Sequence, residues 1–336
     1  MYSLDILEKL LNIPSPTGMA DDALDFCEEE FKKLGIKTRR THKRSLIATI
    51  EGKDKEDVIT FTGHVDTLGL MVKNIREDGR IIFHKIGGYP INTVENEYVK
   101  IHSDKKVYDG TVRLNDSSVH VHPKNVESGE RTYDTMSIVL DEEVSSKEEV
   151  EKLGIQIGDF ISLNTRTVFT EAGFIKSRHL DDKAGVASIF GLAEYLKDKT
   201  PKRTVHFLIS NYEEVGHGAT VLPEGTKDLI SVDMSAPDTG QSSKEEIVTI
   251  CALDSSGPYD LVLRKELEKL ARENDVEYAI DIYPFYGSDA SAALRAGFDI
   301  RAGLIGPGVS HSHTLERTHK RGIENTIKLM KAFVER

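Results

Sequence analysis

The chain has 336 residues, and 56 Asp and Glu against 44 Lys and Arg give a formal net charge of −12, a balance that disfavours nucleic acid as a partner. The length suits about two domains and the 38% hydrophobic share allows a sizeable core. No run of about 18 apolar residues occurs, Met1-Tyr2-Ser3-Leu4-Asp5 lacks a basic head, and the two cysteines, Cys27 and Cys251, lie among apolar neighbours, so we expect a cytoplasmic chain with reduced thiols and no membrane span.

Apolar residues at three- and four-residue spacing predict helices from Leu4 to Leu11 and from Ala23 to Leu34, separated by Pro14, Pro16 and Gly18. Short β-rich runs follow at Ser45 to Ile50 and Val58 to Thr62. The second leads into His64 and Asp66 at the carboxyl end of the expected strand, where open α/β sheets place their ligands. From about Gly69 to Arg166 the pattern is successive strands: Gly69 to Ile75, Arg80 to Ile86, Tyr98 to His102, Lys106 to Val112 and Asp159 to Asn164. An acidic stretch from Asp141 to Lys152 reads as a short solvated helix among them.

After Gly173 strands and helices alternate again. Helices are expected from Lys183 to Lys197, near Pro258 to Asn274 and from Gly322 to Val334, with strands at Thr204 to Ser210 and Leu229 to Asp233. The final helix has an apolar stripe of Ile323, Ile327, Met330 and Val334. The rhythm predicts an α/β fold whose first part, 1–69, and second part, 167–336, are interrupted by a small β domain over 70–166.

Acidic pairs and histidines recur in an order suited to a two-metal hydrolytic site: His64-Val65-Asp66, Asp181-Asp182, Glu213-Glu214, Asp233 and His311-Ser312-His313. Imidazole and carboxylate donors suit zinc or a similar dication, and no cysteine accompanies them, which argues against a closed structural zinc site. Strand alternation would put Asp66 on the side of His64, where it can hold the ring while His64 ligates metal. Asp181-Asp182 precedes a helix and has a plainer reading as its N-cap. Glu213-Glu214 follows a strand and precedes the glycine-rich turn Gly216-His217-Gly218. Adjacent carboxylates repel unless a cation or proton relieves them, so one on a metal with its neighbour as general base is an economical arrangement. His120-Val121-His122 would put two rings on one face of a strand, but no carboxylates accompany them and a surface or interface role is the plainer reading.

The order His64-x-Asp66, Leu180-Asp181-Asp182-Lys183-Ala184-Gly185, Glu213-Glu214-Val215-Gly216, Val232-Asp233 and a late histidine resembles the glutamyl and tetrahedral aminopeptidase family of dinuclear metallopeptidases, also called cellulase-M-like proteins. The resemblance runs from Pro14-Ser15-Pro16-Thr17-Gly18 to the His313 region. It implies a central mixed sheet flanked by helices, of zinc-peptidase type, with a small β-barrel-like insert.

It further implies two divalent ions per subunit, zinc first with cobalt or manganese as alternatives. Asp181 would bridge them, His64 and Asp233 would serve one, Glu214 and the late histidine the other, and Glu213 would be the general base with Asp66 supporting His64. His311 and His313 are both candidates for the late ligand; His313 is preferred because it keeps a short spacing to Glu316 and precedes Thr314. The turn Gly216-His217-Gly218 is one residue shorter than the family pattern. Tyr286-Gly287-Ser288-Asp289-Ala290 resembles a segment near the family's active site, against a plain reading as a helix cap.

The function so implied is removal of the N-terminal residue from peptides with a free N-terminus. Self-association through the inserted domain, from dimer to dodecamer, comes with the resemblance, and neither nucleic acid nor membrane is an expected partner. The alternative is a dinuclear amidohydrolase that deacylates N-acyl amino acids or cleaves dipeptides. In those relatives the extra domain falls between the metal aspartate and the last histidine, whereas here the long gap separates Asp66 from Asp181.

Overall fold

Four parallel strands carry the part of the fold that positions the site: Arg203–Ser210, Asp54–His64, Thr226–Val232 and Arg301–Pro307, neighbours in that order. The structure is a computed structural model that describes residues 1–336. On one side the sheet extends through Leu46–Ile50 and Lys37–Arg40, an antiparallel hairpin whose outer strand is an edge. On the other it extends through Val248–Asp254, antiparallel to Arg301–Pro307, which also pairs with Gly257–Pro258 and Tyr278–Ile282.

The central strands read as near-continuous apolar runs because helices and loops cover both faces. One face holds Ile59, Phe61, Phe207, Ile230, Val232 and Ile305 against the helices Tyr2–Leu11, Asp21–Lys33, Leu180–Leu196, Leu261–Glu273 and Lys320–Glu335. A run of rings ties these layers: Phe31 lies 4.4 Å from Phe190 and 5.8 Å from Phe207, and Phe61 lies 6.3 Å from Phe333. The other face packs Leu208, Leu229 and Leu304 on Ala290 and Ala293 of the short helix Asp289–Arg295.

Leu180–Leu196 is apolar almost all round and nearly every residue is buried, as expected of a helix enclosed by other elements. Gly185 is required at its closest approach to the sheet, since a Cβ there would lie 2.1 Å from the Val232 carbonyl oxygen. A small sheet of Val168–Phe169, Phe174–Ser177 and Glu316–His319 pairs Ser177 with Glu316, which draws residue 181 and the 313–316 turn together.

The chain divides into two compact units, Met1–Asp66 with Thr165–Arg336, and Thr67–Asn164. The second is a closed barrel in the order Gly69–Ile75, Ile81–Ile86, Met136–Leu140, Val107–Leu114, Tyr98–His102 and Phe160–Leu163. Its own core includes Leu70, Phe83, Ile101, Val112, Ile138 and Ile161. The acidic stretch forms the helix Lys147–Leu153, capped by Ser146, whose hydroxyl accepts from the Glu149 amide, and ended by left-handed Gly154.

Strands at Met136–Leu140, Val248–Asp254, Tyr278–Ile282 and Arg301–Pro307 add to those expected from the sequence. The His120-Val121-His122 segment is an exposed turn leading into the helix Pro123–Ser128 rather than a strand, so alternation does not align its rings.

Candidate metal centre

His64 ends its strand, is 1% exposed, and directs Nδ1 to the backbone carbonyl of Asp66 at 2.9 Å. A carbonyl only accepts, so Nδ1 donates, and a ring that gives up its other proton offers the Nε2 lone pair to a metal. That Nε2 lies 3.2 Å from Asp181 Oδ1 and 3.6 Å from Glu213 Oε2. The other Asp181 oxygen, Oδ2, lies 3.2 Å from His313 Nε2, which is in turn 3.6 Å from Glu214 Oε2. One carboxylate thus faces two imidazoles, one through each oxygen.

Asp181 and Asp182, joined by a cis peptide bond, have non-helical backbone angles, so the regular helix begins after them. Asp182 Oδ1 accepts from the Gly185 amide and Oδ2 from the His64 amide, both at 3.2 Å. The N-cap reading therefore describes Asp182, and the same side chain also ties the helix to the strand end. Asp233 follows the strand Thr226–Val232 directly. One oxygen from Asp182 and one from Asp233 lie within 4.8 Å of each other and of a His64 ring nitrogen, and His64, Asp181 and Glu214 meet the same limit.

Glu213 and Glu214 sit on a single 3₁₀ turn, Glu213–Val215, between left-handed Tyr212 and Gly216. Their amides donate to Asp66 Oδ1 and Oδ2 at 3.2 and 3.3 Å, and Asp66 Oδ2 also accepts the Thr17 hydroxyl at 2.6 Å. Glu316, buried below the site, accepts the Asp181 amide at 3.1 Å and the His313 amide at 3.0 Å, one on each oxygen. It fixes both residues through their backbones.

Six carboxylates, those of Asp181, Asp182, Glu213, Glu214, Asp233 and Glu316, and two imidazoles share this floor. Burial pushes Glu214 up to about 8 and Asp233 up to about 7, with the Asp181 charge adding to both. Burial and Asp233 raise Asp182 well above the usual carboxylate range, and burial with Asp233 and Asp289 does the same to Glu213. Glu316 rises to about 8 through burial and the charge of Asp181. Asp181 goes the other way: burial opposes its charge, but hydrogen bonds with His313 and His64 hold it below its ordinary value. Glu214 Oε1 is buried with no hydrogen-bond partner in the protein. Such a cluster is short of positive charge.

The profile of the M42 glutamyl aminopeptidases matches residues 44–329. The chain belongs to this family. Among curated relatives it is 45% identical over 337 residues to the candidate aminopeptidase YhfE of Bacillus subtilis, covering 99% of this chain and 97% of that one. Its fold matches a TET aminopeptidase from a marine-sediment Thaumarchaeota archaeon with a TM-score of 0.91 at 19% identity, covering 99% and 96% of the two chains. It also matches a Pyrococcus horikoshii TET1 peptidase, described as assembling into a tetrahedron or a large octahedral shell, with a TM-score of 0.88 at 23% identity and 99% of both chains covered. The M42 chain is a hydrolase acting on peptide bonds.

The residues of this M42 centre fit divalent cations. Oxygen and imidazole donors converge without cysteine, one carboxylate is aimed at two groups of donors, a buried Glu214 oxygen has no partner, and the raised carboxylates lack the charge that would ionise them. His64, Asp181, Glu214, Asp233 and His313 all meet here. His313 reaches the cluster, while His311 is exposed.

Asp66 departs from the role expected of it. Its carboxylate lies 3.6 Å from His64 Nδ1, the Asp66 backbone carbonyl holds the ring instead, and the carboxylate anchors the Glu213-Glu214 turn. The strand ends at His64, so alternation does not extend to residue 66. His217 stacks on Tyr212 at 5.1 Å as a turn residue, and Ser288 caps Asp289–Arg295 through a capping box with Ser291. Asp289 accepts from the Thr62 and Ser210 hydroxyls and the Ala219 amide, a role the sequence did not reveal. The only sequence signal for Glu316 is its spacing from His313.

Proposed function

We propose that the chain is a dinuclear metallo-aminopeptidase that removes the N-terminal residue from peptides. The observation that carries this reading is Asp181, with an imidazole opposite each oxygen and Glu213 beside one of them. His64, Asp181 and Asp233 would hold one ion, and Asp181, Glu214 and His313 the other, with zinc favoured and cobalt or manganese able to replace it. A divalent pair in such a site supplies Lewis acidity and lowers the pKa of water.

Glu213 does the proton work. Its Oε2 accepts the proton of the attacking water as the C–O bond forms, then returns it to the departing amine as the C–N bond breaks. Burial raises its affinity for that proton, which suits a group that holds it between the two steps. Asp66, with no access to the reacting atoms through its bonded oxygens, positions Glu213 by holding its amide. The acidic floor favours a substrate that presents a free α-amine over one blocked by an acyl group.

Self-association through the barrel unit, as a dimer or a larger shell, accords with the assemblies described for the Pyrococcus horikoshii TET1 peptidase. A light-scattering mass above the 37.5 kDa of one chain is expected. Two free, buried thiols suit a cytoplasmic location.

Glu213→Gln tests the mechanism, because the amide cannot take the proton. The variant should bind metal as the parent does and lose turnover of free-amine aminoacyl substrates. Turnover at the parent rate removes Glu213 as base, and preferential cleavage of acyl-blocked substrates assigns the chain to the deacylases.

A further inference from the structure

The turn that carries Glu213 is held by more than the site itself. After Gly216 the chain returns through His217 and Gly218 to Ala219, whose amide donates to Asp289 Oδ1 at 2.9 Å. Gly218 allows that approach, since a Cβ there would lie 2.1 Å from the same oxygen. Lys43 meets this return limb. It lies in the connection of the Lys37–Arg40 and Leu46–Ile50 hairpin, where Thr41 N donates to Ser45 O and Arg44 N to Thr41 O, each at 2.9 Å. From there Nζ donates to the His217 carbonyl, to the Gly218 carbonyl at 3.2 Å and to the Thr220 hydroxyl at 2.9 Å, and lies 5.7 Å from the centre of the Tyr212 ring.

We propose that Lys43 is a positioning residue for Glu213, clamping the return limb of the 212–220 loop so that the carboxylate stays beside His64. The inference rests on the reading of Glu213 as base. The loop carries the base and a metal-facing carboxylate on adjacent residues of a single 3₁₀ turn, so the position of both depends on how its backbone is held. Asp66 restrains the ascending limb through the two glutamate amides, and Asp289 restrains the descending limb at Ala219. Between them the loop turns through left-handed Gly216, and the Lys43 ammonium draws in the carbonyls that follow. A charged donor bonded to neutral carbonyls is among the stronger hydrogen bonds available to a loop. Catalysis is sensitive to displacements of about 1 Å, so loss of this tie should act on turnover before it acts on substrate binding.

The test uses the metal-loaded full chain with Lys43→Met, Lys43→Arg, and His42→Ala as a control on the same exposed connection. Lys43→Met should lower kcat about 10- to 100-fold with KM changed by less than about twofold. Metal content should stay at the parent value, and amide hydrogen exchange over residues 213–219 should accelerate. Lys43→Arg should recover most of kcat and of the exchange protection, and His42→Ala should match the parent in all respects. Parent-like kcat in Lys43→Met, or a lowered kcat with unchanged exchange over residues 213–219, overturns the proposal. Glu213→Gln measured alongside separates the two readings: its continued turnover defeats the base assignment, and the clamp with it, whereas its inactivity leaves Lys43→Met as the deciding result.

Discussion

Metal added to the metal-free chain should expel protons, and the number follows from the geometry of the site. With Glu214 near 8 and Asp233 near 7, the two carboxylates hold about 0.9 and 0.5 of a proton at pH 7. His64 adds to this: burial opposes its charge, but Asp181, Glu213, Asp66 and Asp233 outweigh that and raise it well above its ordinary value. Ligation needs all three deprotonated, so binding at pH 7 should release at least about 1.5 protons per chain. The sign is fixed, because groups that hold protons in the free protein and lose them on binding make affinity rise with pH. Glu214 and Asp233 alone should strengthen binding about twentyfold between pH 7 and pH 9. Isothermal titration calorimetry in buffers of different ionisation enthalpy measures both quantities. Release of fewer than about 0.5 protons at pH 7, with affinity flat to pH 9, would show that the carboxylates are already ionised and refute the charge-deficit reasoning.

Three further outcomes test the surrounding fold. Burial, with a smaller contribution from Arg39, lowers His206 to about 4, below the ordinary unfolded value of about 6.5, so stability should be present above pH 6.5 and decline as pH falls toward 4. Because the ring keeps some solvent, His206→Gln should spare about 1–2 kcal/mol of that decline, seen in urea unfolding at pH 7 and 4.5; equal losses in both proteins would contradict this. Gly185→Ala would drive a Cβ to 2.1 Å from the Val232 carbonyl oxygen, whereas Gly191→Ala meets the mobile end of Ile327 at 2.4 Å. The first should cost about 1–3 kcal/mol and weaken metal binding, the second less, by thermal melts and metal titration. Asp228 accepts from Arg301 Nε at 2.7 Å, Arg203 at 2.7 Å and Arg336 at 2.8 Å, at the end of the parallel strands remote from the site. Asp228→Asn should cost about 3–5 kcal/mol in urea unfolding and leave kcat intact.

Much of this molecule was legible because its strands and helices differ in period. The apolar stripe of the last helix and the β-rich run from Gly69 to Ile75 each point to one structure, and both elements form. The strand Arg301–Pro307 was harder to read because Gly303 and Gly306 interrupt its pattern. Gly306 is there for contact rather than propensity, since a Cβ would lie 1.7 Å from the Asp233 carbonyl oxygen.

The candidate site was legible as an ordered set of donors, and the fold gathers that set because residues following neighbouring parallel strands share one sheet end. Local geometry was not. Alternation assigned Asp66 to the ring of His64, but the strand stops two residues short of it, and the carboxylate serves the Glu213 turn. The anchors Lys43 and Asp289 reach the same loop from a hairpin connection and a helix start, contacts that exist only after long-range folding.

The central claim is that two divalent ions sit on either side of Asp181. Anomalous diffraction from crystals of the zinc-loaded Glu213→Gln protein tests it most directly. The account predicts two peaks sharing the Asp181 carboxylate, one toward His64 and Asp233, the other toward Glu214 and His313. A single peak, or peaks away from Asp181, would contradict it.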